Sequence, residues 1–264
     1  MMSDIQIKSI ALPRAHGGWG LLFEAVFTGM ILNPSWSALL LAFNAVGVFL
    51  LYHPLQIALR DQVSRLYFLR TTWAWRFVGI YGLFVLVCLT STSAINRSPF
   101  WIPLGAAAFL GALQLFHALR NEQKELLAEL SGGVVFGAFS SSMLIAGGWS
   151  ILASLAVWMI LAVRAVTSII YVRNKLGQER GEGYSPISVV GSHVLGGGVL
   201  LLLAVYQVIP WLVLGGYLVL CLRAVWGLGE RKQTKIRPQM IGVQEVFLGL
   251  IYSVIIVVGY KFKF

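Results

Sequence analysis

Charged residues are scarce in this chain, and cysteines are scarcer still. Asp, Glu, Lys and Arg make up only 11% of the 264 residues, whereas 58% are hydrophobic, and the mean hydropathy is +0.81. This composition excludes an ordinary soluble domain and predicts a polytopic membrane protein. The two cysteines, Cys88 and Cys221, both lie in apolar runs. Their placement excludes a disulfide framework and a paired-thiol metal site.

Acidic residues are the rarer of the two charge signs, at 10 against 20 Lys and Arg, so that the formal net charge is +10. Such an excess is typical of nucleic-acid binding, but here the basic residues occupy short loops between apolar runs. Orientation in a membrane explains that distribution better. We therefore expect membrane lipids as partners and no nucleic acid.

Nine apolar runs are long enough, or nearly so, to cross a hydrocarbon core about 30 Å thick. Turn-forming sequences such as Asn33-Pro34-Ser35 and Gly147-Gly148 separate them. The predicted spans are Gly18–Leu32, Trp36–Leu59, Trp73–Ser91, Phe100–Leu119, Glu129–Ala146, Trp149–Val172, Ile187–Val205, Val208–Gly227 and Glu245–Tyr260. No stretch remains for a soluble domain, so we predict one transmembrane domain over residues 1–264, an all-α bundle of about nine helices.

Lys and Arg alternate between the two sides of this bundle. One side holds Lys8, Arg14, Arg60, Arg65, Arg70, Arg76, Arg120, Lys124, Arg173, Lys175, Arg180, Arg231, Lys232, Lys235 and Arg237. The other side holds Arg97, Lys261 and Lys263. Because cytoplasmic loops carry the excess of Lys and Arg, we predict a cytoplasmic N-terminus and an external C-terminus. The expected location is the plasma membrane, or the inner membrane of a cell with two.

Arg164 is a charge embedded in the apolar run that begins near Trp149, about 13 Å of helix before Arg173. A charge at this depth costs several kcal/mol unless it is paired or faces a wet interior, and it is functional by default. Tyr171, Arg173, Lys175 and Arg180 follow it among glycines. The pattern predicts a basic, pliable loop after the sixth span, at the mouth of a cavity lined by Arg164.

Polar residues crowd the predicted cytoplasmic ends of the spans. The set comprises His16, Glu24, Asn44, His53, Arg76, His117, Glu129, Arg164, Tyr171, His193, Arg223 and Glu245. Turned inward, these groups would enclose a polar cavity open to the cytoplasm. For Arg76, His117 and Glu129 we favour side chains that reach the membrane interface. For Glu24, Arg164 and His193, which lie deeper, we favour a role in a site.

The segment Leu12 to Gly20 leads into the first span with glycines beside Arg14 and His16. Free amides at a helix start attract anions, so this segment is a candidate cradle for a phosphate or carboxylate. Glu24 follows His16 by eight residues and can share its helix face. The two are an acid/base couple or an ion pair that lets Glu24 stay buried. Farther on, Pro54 is expected to kink or end the second span near His53.

The opening Pro13 to Trp19, the acid at Glu24 and the Tyr171-Val172-Arg173 sequence resemble the YwiC-like family of bacterial integral membrane proteins. Its organisation is similar to that of the UbiA superfamily of intramembrane prenyltransferases. That resemblance implies nine helices, cytoplasmic access, and functional loops after the second and sixth helices. In the superfamily, aspartate-rich motifs in those loops hold magnesium and a prenyl diphosphate.

This chain lacks the paired aspartates that such a metal site requires. It has only Asp61 after the second span, and Glu179 and Glu182 after the sixth. Magnesium needs hard oxygen ligands, so we predict no metal site. A bound diphosphate would be gripped directly by Arg60, Arg164 and Arg173, whose guanidinium groups form forked hydrogen bonds. The four histidines show no HxxxH spacing, and the sequence indicates no particular cofactor.

Three functions stay open on these residues. The first is a UbiA-like transferase acting on an isoprenoid or other lipid-linked substrate with an anionic head. In it Arg14, His53, Arg60, Arg164, Tyr171 and Arg173 bind the head, and His16, Glu24 or His193 handles protons. The second is a transporter or permease for a small anion, and the third is a non-catalytic membrane subunit.

Overall fold

The computed structural model describes residues 7–13, 16–65, 68–120, 122, 125–229 and 238–262, apart from the side chains of His16 and Pro238. Within these ranges the chain is helical, with no strand. The helices are α1 (Ile7–Ala11), α2 (His16–Leu32), α3 (Trp36–Val63), α4 (Leu69–Ile95), α5 (Trp101–Leu119), α6 (Leu126–Ala146), α7 (Ile151–Arg180), α8 (Pro186–Val205), α9 (Leu212–Gly229) and α10 (Pro238–Phe262). The predicted all-α class is confirmed.

Nine apolar helices, α2 to α10, correspond to the nine predicted spans. In the described part of the chain, eight of them are long and apolar enough to cross a membrane. The exception is α2, whose 17 residues extend only about 25 Å. This protein is therefore a multi-pass membrane protein in which α2 is the shortest of the apolar helices from α2 to α10.

The predicted breaks between helices are confirmed, and the sequence explains several of them. Ser35 and Ser150 cap α3 and α7 by accepting hydrogen bonds from the amides of Ala38 and Ala153, each at 3.2 Å. Gly148 and Gly181 have φ of 84° and 71°, a left-handed conformation that favours glycine. These residues stop α6 and α7 respectively.

Two local expectations differ from the structure, and one helix was not predicted. Pro54 does not end the second span, because α3 continues through it to Val63. The basic segment after Val172 is not a loop: α7 runs on to Arg180, so that Arg173 and Lys175 are helical residues. The short α1 was not predicted, since five residues carry too weak a pattern.

Hydrogen bonds between helix termini define the two ends of the bundle. At one end, Arg60 Nη2 donates to the carbonyl of Ala118 (2.6 Å), and Lys175 Nζ donates to that of Gly227 (2.7 Å). At the other end, Asn33 and Asn96 donate to the carbonyls of Met143 (2.7 Å) and Ala146 (2.6 Å). We call the first the basic end, because it carries Arg60, Arg70, Arg173, Lys175 and Arg180. It is the end predicted to face the cytoplasm.

The short helix α2 lies between two apolar cores. One core joins α3, α5 and α6 to Leu22 of α2, and the other joins α7, α8, α9 and α10 to Ala25 and Leu32. Leu22 and Ala25 are 0% and 2% exposed. This position between the two cores places Glu24 in the middle of the protein, whereas Phe23 and Ile31 on the other side of α2 are exposed.

Candidate functional site

Four charged side chains from four helices meet in the interior of the bundle. They are Glu24 of α2, Arg164 of α7, Arg223 of α9 and Glu245 of α10, which we call the buried charge cluster. Their side chains are at most 10% exposed, and that of Arg164 is 1% exposed. Burial this complete is rare for charged residues unless they are paired.

Arg164 lies at the centre of the cluster, between the two carboxylates. Its Nη1 is 3.4 Å from Glu245 Oε2, and its Nη2 donates to the backbone carbonyl of Glu245 at 2.9 Å. Its Nε is 3.6 Å from Glu24 Oε1. One guanidinium therefore links α2, α7 and α10.

Glu245 is the most heavily bonded acid of the cluster. Its Oε2 accepts hydrogen bonds from Arg223 Nη2 at 2.7 Å and from the Ser168 hydroxyl at 2.5 Å. Arg223 also stacks on an aromatic ring, with its guanidinium carbon 4.0 Å from the Tyr171 ring centroid. These contacts are charge-assisted hydrogen bonds and a cation–π contact, the stronger kinds of polar contact.

Two glycines make room for the cluster. Gly249 of α10 lies against the carboxylate of Glu24, and Gly227 of α9 lies against the Tyr171 hydroxyl, so that a Cβ at either position would overlap those oxygens. Because glycine has no side chain, the polar groups reach the neighbouring helix backbone directly. The cluster therefore depends on small residues as well as on its charges.

The charges of the cluster balance, but its hydrogen bonds do not. Two arginines face two glutamates. Among the described residues, the buried atoms Glu24 Oε1, Glu245 Oε1, Arg164 Nε, Arg223 Nε and Arg223 Nη1 have no hydrogen-bond partner. A cavity of about 10 Å³ adjoins Glu24 between α2, α6 and α7, close to the smallest space that holds one water. Buried polar atoms without partners are uncommon and indicate a ligand, water or ion.

His193 of α8 lies beside the cluster but is not hydrogen-bonded to it. Its Nδ1 is 2.8 Å from the carbonyl of Val189 in the same helix. The charges of Arg223, Glu245 and Arg164 act on the ring. The predicted trio Glu24, Arg164 and His193 is thus gathered into one region, and Tyr171 joins it through Arg223.

The family of the chain follows from its first half. The profile of the YwiC-like protein family matches residues 12–146, which is just over half of the chain and runs from the segment before α2 to the end of α6. The chain belongs to the YwiC-like family. No curated protein and no solved structure matches it. Of the cluster, Glu24 lies inside the matched region.

Other residues predicted for the site of this YwiC-like protein lie elsewhere. His53 Nε2 is 3.1 Å from the carbonyl of Ser9, and Arg60 is bonded to α5 as described above. Arg173 pairs with Glu129 at 3.2 Å near the surface of the basic end. The structure does not bring these three into the cluster. Arg14 and the side chain of His16 lie outside the described residues, so the anion cradle stays a prediction.

The predicted open polar cavity is not what surrounds Arg164. Ion pairs and the Tyr171 ring fill the space among α2, α7, α9 and α10. Lys175, predicted as a loop cation, is 3% exposed and is bonded to Gly227 and Glu179. Packed side chains therefore occupy the place where a water-filled cavity entrance was expected.

Three contributors to the site were given no role from the sequence: Arg223 and Glu245, which were named only within the larger set of polar residues, and Ser168. Glu245 was placed at the start of its span, because the apolar run begins there. In fact α10 begins at Pro238, which puts Glu245 two turns inside. The signal that identifies it is charge balance, since two embedded arginines require embedded acids.

The predicted absence of a metal site stays a prediction. Asp61 accepts hydrogen bonds from Arg70 at 3.0 and 2.6 Å and from Thr71 at 2.6 Å, so its oxygens are already committed to these donors. His117, Glu122 and Glu125 place ligand atoms within 4.8 Å of one another at the basic end. These three groups are partly or fully exposed, and exposed acids cluster commonly without a metal.

Proposed function

We propose that this YwiC-like protein is an intramembrane enzyme acting on a lipid with an anionic head, such as an isoprenoid, with UbiA-like organisation. The observation that supports this proposal is the buried charge cluster with its unpartnered atoms. Charges inside a membrane bundle are costly and mark functional sites by default. Because the cluster lies at membrane depth, its substrate is a lipid.

The proposed roles differ from the sequence-based ones at Arg164. Two glutamates already hold Arg164, so it positions the carboxylates. Arg223 has two buried N–H groups, at Nε and Nη1, without a partner among the described residues. These donors suit an oxygen of a phosphate or diphosphate. Arg223 is thus the proposed ligand of the head.

The proposed chemistry is group transfer. The bond between the lipid carbon and the head oxygen breaks, and the head leaves as an anion beside Arg223. A nucleophile of the acceptor forms the new bond to that carbon and gives its proton to Glu24 or His193. Arg60 and Arg173, at the basic end, guide the anionic head toward the site, and Arg14 and His16 stay candidates from the sequence alone.

The test is binding of farnesyl diphosphate to the protein in phosphatidylcholine nanodiscs, followed by native mass spectrometry. We expect Arg223→Gln to weaken binding at least tenfold, since a charged hydrogen bond contributes about 1.5 to 3 kcal/mol. The matched control is Arg97→Gln, an exposed arginine in the loop between α4 and α5. Equal binding by the parent and Arg223→Gln would reject the proposed role.

A non-catalytic membrane subunit is the second candidate, and the charge balance of the cluster favours it. Two arginines and two glutamates whose charges cancel are also what a purely structural link between four helices would contain. In that case Arg223→Gln changes stability without changing lipid binding.

A further inference from the structure

A long apolar groove lies between α8 and α9, apart from the buried charge cluster. It has a volume of about 460 Å³, which is within the range of about 300 to 1,000 Å³ for ligand sites. Its walls come from α8 between Val189 and Leu201 and from α9 between Leu214 and Leu228. The α8 wall is therefore about 18 Å long, so the groove runs along the helices and not across them.

The groove faces the surrounding membrane. Val194, Leu218 and Val225 on its walls are 67%, 62% and 66% exposed. α8 packs mainly against α7 and α9, and it is a peripheral helix. A lipid chain reaches such a groove from the bilayer without crossing the protein.

No residue that lines the groove is charged, apart from any charge on His193. The hydroxyl of Tyr217, which also lines it, already donates to the carbonyl of His193 at 3.0 Å. A groove with such walls does not compensate an anionic or cationic head. Its ligand is therefore a neutral lipid, unlike the substrate proposed above.

His193 is one of the residues that line the groove, and it contains a polar atom without a partner. The residue is 6% exposed, and its Nε2 is buried with no hydrogen-bond partner in the described part of the chain. A carbonyl oxygen only accepts hydrogen bonds, so the Nδ1 that lies 2.8 Å from Val189 O carries the hydrogen. In a neutral imidazole Nε2 is then an acceptor, and it requires a donor.

The neutral ring is the form that its surroundings favour. No acid lines the groove. His193 is 6% exposed, so a charged ring would be buried without a carboxylate in the groove to compensate it. The complementary ligand group is therefore an O–H that donates to Nε2.

We propose that the α8–α9 groove binds a neutral long-chain lipid that bears a hydroxyl group, and that the hydroxyl donates to His193 Nε2. The chain extends from His193 toward Leu201, about 12 Å along α8, away from the basic end. Long-chain alcohols and diacylglycerol share this chemistry. The site goes beyond the proposed enzyme and does not depend on it.

The probe is a long-chain alcohol with a photoreactive diazirine in its chain, added to the full-length protein in phosphatidylcholine nanodiscs. Crosslinks are mapped by peptide mass spectrometry. We expect saturable labelling of α8 and α9 peptides, and we expect unlabelled alcohol to compete with it. The methyl ether of the same alcohol should compete at least fivefold more weakly. A fivefold loss corresponds to about one hydrogen bond.

Matched variants separate the groove from the general lipid surface. Leu201→Trp fills the groove and is expected to abolish saturable labelling. Leu202→Trp is the control, because Leu202 is 60% exposed on α8 and does not line the groove. His193→Phe is expected to lose the preference for the alcohol over the ether, and His193→Gln, which keeps an acceptor, to retain part of it.

Three results would overturn the inference. The first is even labelling of all lipid-facing helices, and the second is unchanged labelling of Leu201→Trp. The third is equal competition by alcohol and ether in the parent protein, which would mean that any chain fills the groove. None of these outcomes bears on farnesyl diphosphate binding by Arg223, so the two proposals fail separately.

Discussion

Arg164 of α7 and Glu245 of α10 are joined twice, through the side chain at 3.4 Å and through the Glu245 backbone carbonyl at 2.9 Å. The second bond fixes the guanidinium to the helix itself. Since Glu245 also holds Arg223 and Ser168, one carboxylate ties α7 and α9 to α10. The last helix is thus anchored by polar contacts inside an apolar bundle.

Removing Arg164 is expected to be strongly destabilising. Arg164→Met leaves Glu24 without its charge partner and Glu245 with one of two, both buried. Breaking a buried pair from one side costs about 3 to 5 kcal/mol. The measurement is the free energy of unfolding in detergent, with Arg97→Met as an exposed control expected to change little.

Neutralising the acids is expected to rescue Arg164→Met in part. The variant that adds Glu24→Gln removes one uncompensated charge, so it should recover at least about 1 kcal/mol. If Arg164→Met unfolds no more easily than Arg97→Met, then Arg164 is not the centre of an ion-pair network.

The two glutamates are expected to differ. Glu245 accepts from Arg223 at 2.7 Å and from Ser168 at 2.5 Å, whereas Glu24 lies 3.6 Å from Arg164 Nε. Glu245→Gln should therefore destabilise the protein by at least about 1 kcal/mol more than Glu24→Gln. Thermal unfolding of the two variants side by side measures the difference, and the reverse order would contradict the described geometry.

Gly249 is expected to tolerate no side chain. Gly249→Ala brings a Cβ onto the carboxylate of Glu24, and overpacking of this kind costs about 1 to 3 kcal/mol. Gly242→Ala is the matched control in the same helix, since a Cβ there meets nothing within 4 Å and alanine favours helix by about 1 kcal/mol. We predict that the free energy of unfolding falls in Gly249→Ala and rises in Gly242→Ala. An unchanged free energy of unfolding in Gly249→Ala would mean that Glu24 lies elsewhere.

Asp61 is expected to be structural. Asp61→Asn weakens the bonds from Arg70 and Thr71 and should cost about 1 to 3 kcal/mol of unfolding free energy. Glu182→Gln, at an exposed position between α7 and α8, serves as the control and should stay within about 0.5 kcal/mol. A loss of magnesium-dependent stability in Asp61→Asn would instead indicate a metal ligand.

Hydropathy predicted the helices well because each span is a local property of the sequence. Hydropathy failed to predict where polar helix ends lie. Residues such as Lys175 and Arg180 lower the hydropathy of α7, although the helix continues to Arg180. The predicted span Trp36–Leu59 passes through Pro54, and so does α3, because a proline inside a long membrane helix is tolerated when neighbouring groups satisfy the freed backbone.

The sequence predicted several of the residues that belong to the site, but it did not predict which of them contact one another. Glu24, Arg164 and His193 were identified by depth alone. Which acid meets which arginine depends on how α2, α7, α9 and α10 rotate about their axes, and no local pattern specifies that. Arg60 and Arg173 were assigned to the site by loop position, yet helix packing gives them partners at the basic end.

The central claim is that Arg223 and Glu245 interact within one buried network. A double-mutant cycle with Arg223→Gln, Glu245→Gln and the double variant measures that interaction directly from unfolding free energies in detergent. We predict a coupling energy of at least about 1.5 kcal/mol, because the pair is close and buried. Additivity of the two substitutions within about 0.5 kcal/mol would contradict the account.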